Sequence, residues 1–211
     1  MCSFGGEGMS KVPGNSADRI EFEAEMQSLF RAGELRQVVT RTLQAYGPEV
    51  FGFLFAIVGS EHDAADIFGE FSFDLWAGIA AFEWRCSLRT WVYTLARHQL
   101  GRFDRTQKRE RRHLRQTPFS DIAEILQFAA QLSSETLPHL KSNAKSAFVR
   151  MREELDPEDQ MLLILRVDRN LSWTDVASVM GGVNTAALRK RFERLKERLH
   201  EMARAEKLLP E

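Results

Sequence analysis

Apolar residues recur along most of this chain at steps of three and four, the helical period. Over residues 34–58 the series Leu35, Val38, Val39, Leu43, Tyr46, Val50, Phe53, Leu54 and Ile57 keeps it. It predicts a long helix that Pro48 either starts or kinks, stopped by Gly59 and Ser60. A shorter amphipathic helix is expected over 18–31, with Asp18 as N-cap and Ile20, Phe22, Met26, Leu29 and Phe30 on its apolar side. Over 61–79, Ala64, Ile67, Phe68, Phe71 and Leu75 share one face, while Asp63, Asp66, Glu70 and Asp74 share another. Ser87 is a good N-cap for a helix over 88–103. There Leu88, Trp91, Val92 and Leu95 face inward, and Arg89, Tyr93 and Arg97 follow at four-residue steps on a separate face.

Beyond residue 115 the pattern weakens, then returns. Ile122, Ile125, Leu126, Ala129 and Leu132 make a modest amphipathic stretch, broken by Ser133, Ser134 and Pro138. A second compact stretch runs from Leu155. Asp156 followed by Pro157 reads as a cap with proline at the first helical position, Met161 to Leu165 as a buried run, and Asn170 as its end. Ser172 and Asp175 form a capping-box pattern for the next helix. Gly181-Gly182 makes a turn, and Asn184 or Thr185 caps a final helix with the inner seam Leu188, Phe192, Leu195, Leu199 and Met202. The expected architecture is all-α: a disordered tail (1–17), a first helical domain (18–115), a linker (116–137), a second domain (138–205) and a short tail (206–211).

Charge changes this picture. The chain of 211 residues has a formal net charge of -1, with 44% hydrophobic and 28% charged residues. The total hides a regional split. Between Glu61 and Glu83 lie six acidic residues and no Lys or Arg; between Arg85 and Arg115 lie ten basic residues and two acidic ones. A dense basic run after an aromatic-bearing helix invites phosphate, whereas the carboxylates need another partner, although a solvated helix face explains them equally well. The two cysteines, Cys2 and Cys86, are too few for a disulfide scaffold, and a reduced, cytoplasmic protein fits. The N-terminus lacks the apolar core of a secretory signal. No run of about 18 apolar residues predicts a membrane span. The five histidines are scattered, so no metal, cofactor or catalytic set is expected.

Helix, glycine turn and basic helix in the second part form a helix-turn-helix pattern, whose last helix enters the major groove with its N-terminal side chains at base edges. The basic side of that helix carries Arg189, Lys190, Arg194, Lys196 and Arg198.

These pieces resemble the bacterial RNA polymerase sigma factors of the extracytoplasmic-function type. DAADIFGEFSFDLW is similar to the family's D-A-E-D-L-V-Q-E-T-F-L-R-A-W, with Asp63, Ala64, Asp66, Glu70 and Trp76 matching. SLRTWVYTLARHQLGRF is similar to S-L-R-T-W-L-Y-R-I-A-R-N-L-A-L-D-R, with Ser87, Leu88, Arg89, Thr90, Trp91, Tyr93, Ala96 and Arg97 matching. In the second part, LDPEDQMLLILRVDRNLSWTDVASVMG and ALRKRFERLKERL resemble the family's helix-turn-helix, Arg191, Arg194, Glu197, Arg198 and Leu199 matching. Gly69, Ser72, His98 and a turn one residue longer than usual depart from the pattern.

The resemblance implies a protein that binds core RNA polymerase and directs promoter recognition, melting and transcription initiation, with no catalysis of its own. Asp63, Asp66, Glu70 and Asp74 would dock on the clamp helices of the largest polymerase subunit. Trp84, Arg85, Ser87, Arg89, Arg97, His98, Arg102 and Arg105 would serve the minus-ten element, with the basic run to Arg115 holding phosphates. Thr185, Arg189, Lys190, Arg191 and Arg194 would serve the minus-thirty-five element. An anti-sigma factor is a common partner in the family. A helix-turn-helix regulator acting without polymerase and a degenerate sigma-like interaction module stay open as alternatives.

Overall fold

The computed structural model describes residues 16–107 and 151–205, and both stretches are built of helices and turns. Of the expected tail over 1–17, residues 1–15 lie outside the described residues, as do 206–211, the linker at 116–137, the start of the second domain at 138–150 and the basic run beyond Gln107, while Ser16 and Ala17 are helical. Helix α1 (Ser16–Arg31) begins two residues before the expected start, so Asp18 stands in the first turn rather than at the cap. A carboxylate there still favours the N-terminal end of the helix dipole. Phe22 and Met26 bury the helix, Phe22 edge-on to Tyr46 at 5.4 Å, and Glu25 pairs with Arg41.

Helix α2 (Leu35–Val58) runs without interruption past Pro48. Proline removes one N–H from the helical ladder. Buried side chains on both sides of it, from Val38 to Tyr46 and from Val50 to Leu54, hold the helix against that loss. Gly59 ends α2 at φ 68°, a left-handed conformation that glycine adopts without a Cβ clash. Ser60 then caps α3 (Glu61–Gly78) by accepting the Asp63 N–H. The apolar set of α3 divides as its spacing predicts: Ala64, Ile67, Phe68, Phe71 and Leu75 are all buried, Phe68 lying edge-on to Phe51 of α2. Ser72 is buried with them and returns its hydroxyl proton to the Phe68 carbonyl at 2.8 Å. Gly69 has open space where a Cβ would stand.

A single 3-10 turn (Ile79–Ala81) leads to α4 (Leu88–Gln107), which runs four residues beyond the expected end. Three first-turn donors of α4 are satisfied from two sources. Ser87 accepts the Thr90 N–H at 3.0 Å. The Glu23 carboxylate, reaching from α1, accepts the N–H groups of Leu88 at 2.9 Å and Arg89 at 3.2 Å. The sequence showed the first of these caps and not the second.

In the second unit α5 (Pro157–Leu163) starts on an Asp156 cap with proline at the first position. It widens into a π turn (Ile164–Asp168) and ends at Asn170, which adopts φ 50°. Helix α6 (Trp173–Val179) is capped by Ser172, and Asn184 caps α7 (Thr185–Ala205) by accepting the Ala186 N–H at 2.8 Å.

The two units pack on one another. One continuous apolar cluster runs from Phe22 and Met26 through Phe53, Phe68 and Val92 to Met161, Leu165, Val176, Met180 and Leu188. Helix α6 lies against α4, and α5 against α2. The expectation of two domains held only by a linker is therefore incomplete, because the apolar run of α5 covers the first unit as well as its own helix-turn-helix. A smaller cluster of Leu155, Leu163 and Leu195 closes α7 onto α5.

Gly69 sits mid-helix without a packing role, so Gly69→Ala is expected to stabilise the chain by about 0.5–1 kcal/mol through helix propensity. The midpoint of urea unfolding reads this; an unchanged or lower midpoint contradicts the placement.

Candidate functional site

Three surfaces carry the expected functional residues. On α3, Asp66 and Glu70 are exposed, and Asp63 is partly so. Asp66 lies 3.5 Å from His62 one turn earlier. Asp74, the fourth carboxylate of the series, is drawn inward: it accepts from Gln99 and, at 3.3 Å, from Arg102, both on α4. The carboxylate face thus has an open end at Asp66 and Glu70 and a closed end at Asp74, where it is tied to the basic helix.

The loop before α4 packs as an aromatic stack. Phe82 stacks on Trp91 at 4.4 Å and lies 4.9 Å from Trp84, which also meets Phe30 edge-on at 5.7 Å. Trp84 adopts φ 55°, a conformation few bulky residues take, and its neighbouring rings hold it there. Arg85 projects to solvent and pairs with Glu83 at 2.7 Å. Ser87 is taken up in capping α4.

The arginine face of α4 differs most from its expected role. Arg89 is buried. Its Nε and Nη2 donate to the two carboxylate oxygens of Glu49 at 2.7 and 2.8 Å, and its Nη1 donates to the Arg169 carbonyl of the second unit at 3.0 Å. Burial pulls the guanidinium's pKa down, but the Glu49 bonds and charge more than offset this and hold it above its ordinary range. Tyr93, next on the same face, is fully buried, and that burial, with Glu49 nearby, pushes its phenol well above its usual range. The expectation that Arg89 contacts DNA does not fit this geometry, because every donor group of its fork is committed within the protein. Periodicity placed Arg89, Tyr93 and Arg97 on one face correctly; what covers that face comes from residues far away in the chain.

Those residues were not singled out as functional. The Asp175 carboxylate, read only as a capping partner of Ser172, also accepts from the Thr90 hydroxyl at 2.9 Å. Glu158 accepts from Arg97 at 3.1 Å. Gly181, at φ 87°, leaves Arg97 room: a Cβ there would lie 3.3 Å from its Nη1. Glu23 faces Asp175 across the same junction, and burial first, with that carboxylate adding, raises the Glu23 pKa. Pairs separated by 40 to 85 positions leave no periodic trace in a sequence. Further along α4, His98, Arg102 and Arg105 are exposed. His98 and Arg102 line a cleft of about 720 Å³ with Ile57, Met161 and Glu158, and Arg105 donates to the Gly101 carbonyl at 2.9 Å.

On α7, Thr185 is half-buried at the helix start, and Arg189, Lys190 and Arg194 are exposed. Arg189 and Arg166 flank the Trp173 ring at 5.7 and 5.1 Å, and Phe192 meets it edge-on. Arg191 turns back to Asp159 at 2.5 Å and Asp156 at 3.1 Å. It therefore fastens α7 to the start of α5 instead of pointing outward with its neighbours. Arg194 leans on the Lys190 carbonyl at 3.4 Å. Among the described residues no three His, Cys, Asp or Glu side chains are grouped to hold a metal ion, and no helix is long and apolar enough to cross a membrane.

A helical unit with a carboxylate face and an aromatic-and-arginine helix is thus followed by a helix-turn-helix unit. Residues 42–110 match the family Sigma-70 region 2. The chain is 25% identical over 163 residues, 75% of its length and 90% of the relative's, to the RNA polymerase sigma factor YlaC of Bacillus subtilis (strain 168). The fold is similar, at a TM-score of 0.56 over 81% of this chain and 97% of the other, to the sigma factor RpoE of Bartonella quintana, solved in complex with the anti-sigma factor NepR. At 18% identity that likeness speaks for the fold alone. Over residues 42–110 the chain is thus similar to sigma-70 region 2, and over most of its length to a bacterial RNA polymerase sigma factor.

Removing one partner of a buried ion pair leaves an uncompensated charge. Glu49→Ala is therefore expected to cost about 3 kcal/mol or more in urea unfolding, because Arg89 stays buried without its carboxylate. A loss below about 1 kcal/mol, the range of exposed pairs, contradicts the inward placement of Arg89.

Proposed function

We propose that the chain is an extracytoplasmic-function sigma factor that binds core RNA polymerase through α3 and carries it to promoter DNA through α4 and α7. The observation that supports this best is the open carboxylate pair Asp66 and Glu70 on α3, in the part of the chain matched to sigma-70 region 2. A protein face rich in carboxylates and adjoining a basic helix cannot share that helix's phosphate partner, since like charges repel. The polymerase clamp helices supply the different partner it needs. A helix-turn-helix regulator working without polymerase gives this face nothing to do.

The division of labour follows from exposure. Asp66, Glu70 and Asp63 dock on polymerase, and Asp74 orients the junction with α4 by holding Gln99 and Arg102. Trp84 and Arg85 in the loop, with Arg97 and His98 on α4, serve the minus-ten element, where aromatic and guanidinium planes stack on unpaired bases at about 1–3 kcal/mol per base. Arg102 and Arg105 hold backbone phosphates, which position the strand without reading it. Ser87 and Arg89 shape the helix and do not touch DNA. At the minus-thirty-five element Arg189, Lys190, Arg194 and Thr185 face the duplex, and Arg191 braces the helix that carries them. The protein acts in the cytoplasm by binding, and the polymerase performs the chemistry. An anti-sigma factor is a fitting regulatory partner, as the RpoE–NepR complex illustrates for a protein of the same fold.

Charge reversal of the open pair, Asp66→Arg with Glu70→Arg, is expected to abolish co-purification with core polymerase while leaving the helical circular dichroism spectrum intact. Retained binding removes α3 from the docking surface. Replacing Arg102 and Arg105 with alanine is expected to leave polymerase binding unchanged. The same change should flatten the slope of log affinity against log salt for DNA by about 0.7–0.9 for each phosphate left without its arginine. An unchanged slope takes them off the backbone.

A further inference from the structure

Arg189 is held differently from the other arginines that shape this fold. Arg89 commits its fork to Glu49 and the Arg169 carbonyl, and Arg191 commits its own to Asp156 and Asp159. Arg189 is exposed, and among the described residues it makes no hydrogen bond or ion pair. Its guanidinium lies instead over the Trp173 ring, 5.7 Å from the centroid. Trp173 is the first residue of α6, so a side chain of one helix of the pair holds a side chain of the other. The ring is itself fixed. Arg166, anchored by its bond to the Leu171 carbonyl at 2.8 Å, lies 5.1 Å from the same ring, and Phe192 of α7 meets it edge-on at 5.5 Å.

A guanidinium attracted to a ring face keeps its donors, because its N–H groups point outward in its own plane and the ring supplies no acceptor atom. Reading a guanine in the major groove needs both properties. The fork must be free to donate to the two acceptors of the base edge, and it must point in one direction. We propose that Trp173 is a positioning residue for duplex reading: it aims the Arg189 fork at a guanine edge and makes no base contact itself. This rests on the reading of α7 as the duplex-facing helix and adds to it the group that sets the direction of one of its arginines. A side chain ordered before binding loses less conformational freedom when it binds, so the stack favours the base that Arg189 reads over its competitors. If Trp173 only filled space beside the turn, its loss would loosen α7 and weaken all its contacts alike.

The test presents the full chain, alone and with core polymerase, to a duplex pool with a randomised window and sequences the duplexes retained. Wild type is expected to enrich a sequence containing a guanine whose preference Arg189→Ala flattens. Trp173→Met keeps an adaptable apolar side chain and removes the ring. It should lower that same guanine preference about two- to fivefold, the equivalent of one exposed cation–π contact, and leave the other positions as in wild type. Trp173→Tyr restores a ring face and should recover the preference. In a chain that already carries Arg189→Ala, Trp173→Met should remove nothing further there. Undiminished guanine preference in Trp173→Met, an equal loss at every position, or a tyrosine variant as poor as the methionine one overturns the proposal. Enrichment that Arg189→Ala leaves unchanged overturns it as well. Should Trp173→Met lose helical signal, Trp173→Leu takes its place, and the same loss there assigns the ring to the fold and overturns the proposal. A wild-type chain that enriches no sequence in either setting removes α7 from duplex reading, and the proposal falls with it. One that enriches a sequence alone but does not bind polymerase contradicts only the sigma-factor reading, and the Trp173 variants still decide.

Discussion

Arg89 can be buried only because Glu49 meets it with both carboxylate oxygens. A guanidinium taken out of water needs a carboxylate and full hydrogen bonding to offset its lost hydration, and α2 and α4 must lie at one spacing and register to provide them. That requirement fixes the part of the first unit on which the rest builds. Tyr93 packs beneath the pair, edge-on to Phe53 at 5.5 Å. Glu23 closes the first turn of α4 from α1, and the spare Nη1 of Arg89 reaches the second unit. One polar contact thus links three helices of the first unit and orients the second.

The surrounding apolar packing is extensive but not selective: leucine, valine and phenylalanine side chains fit several registers, whereas a bidentate guanidinium–carboxylate pair fits one. The junction between the units combines both kinds of contact. The apolar side chains of α5 and α6 draw the second unit onto the first, and Asp175, Glu158 and the Arg169 carbonyl specify where it sits. Thr90 and Arg89 are buried at this junction, so its polar contacts and its apolar seam act together.

Local features were legible in the sequence to the extent that they depend on neighbours three or four residues away. The burial of Ala64, Ile67, Phe68, Phe71 and Leu75, the caps at Ser87, Asp156 and Ser172, and the turn at Gly181 and Gly182 follow from spacing and side-chain chemistry, whereas Ser60 was read as part of a turn and caps α3. The resemblance to sigma factors followed from two motifs in order. Illegible were the contacts that tertiary packing creates. The inward turn of Arg89, the cap that Glu23 gives to α4, the second role of Asp175 and the bracing of α7 by Arg191 each join positions far apart, and an arginine on a helical face reads the same whether it meets water, phosphate or a buried carboxylate. The bond from the Arg166 guanidinium to the Leu171 carbonyl at 2.8 Å likewise has no periodic signature.

The distance between the two units tests the central claim most directly. Spin labels on exposed positions of α3 and α7, Ala77→Cys and His200→Cys, in a chain whose Cys2 and Cys86 are serine, report it with Glu49 present and in the Glu49→Ala variant. One narrow distance with Glu49 present, broadened in Glu49→Ala, is the expected result. The same narrow distance in both would contradict a second unit oriented by the Arg89–Glu49 pair.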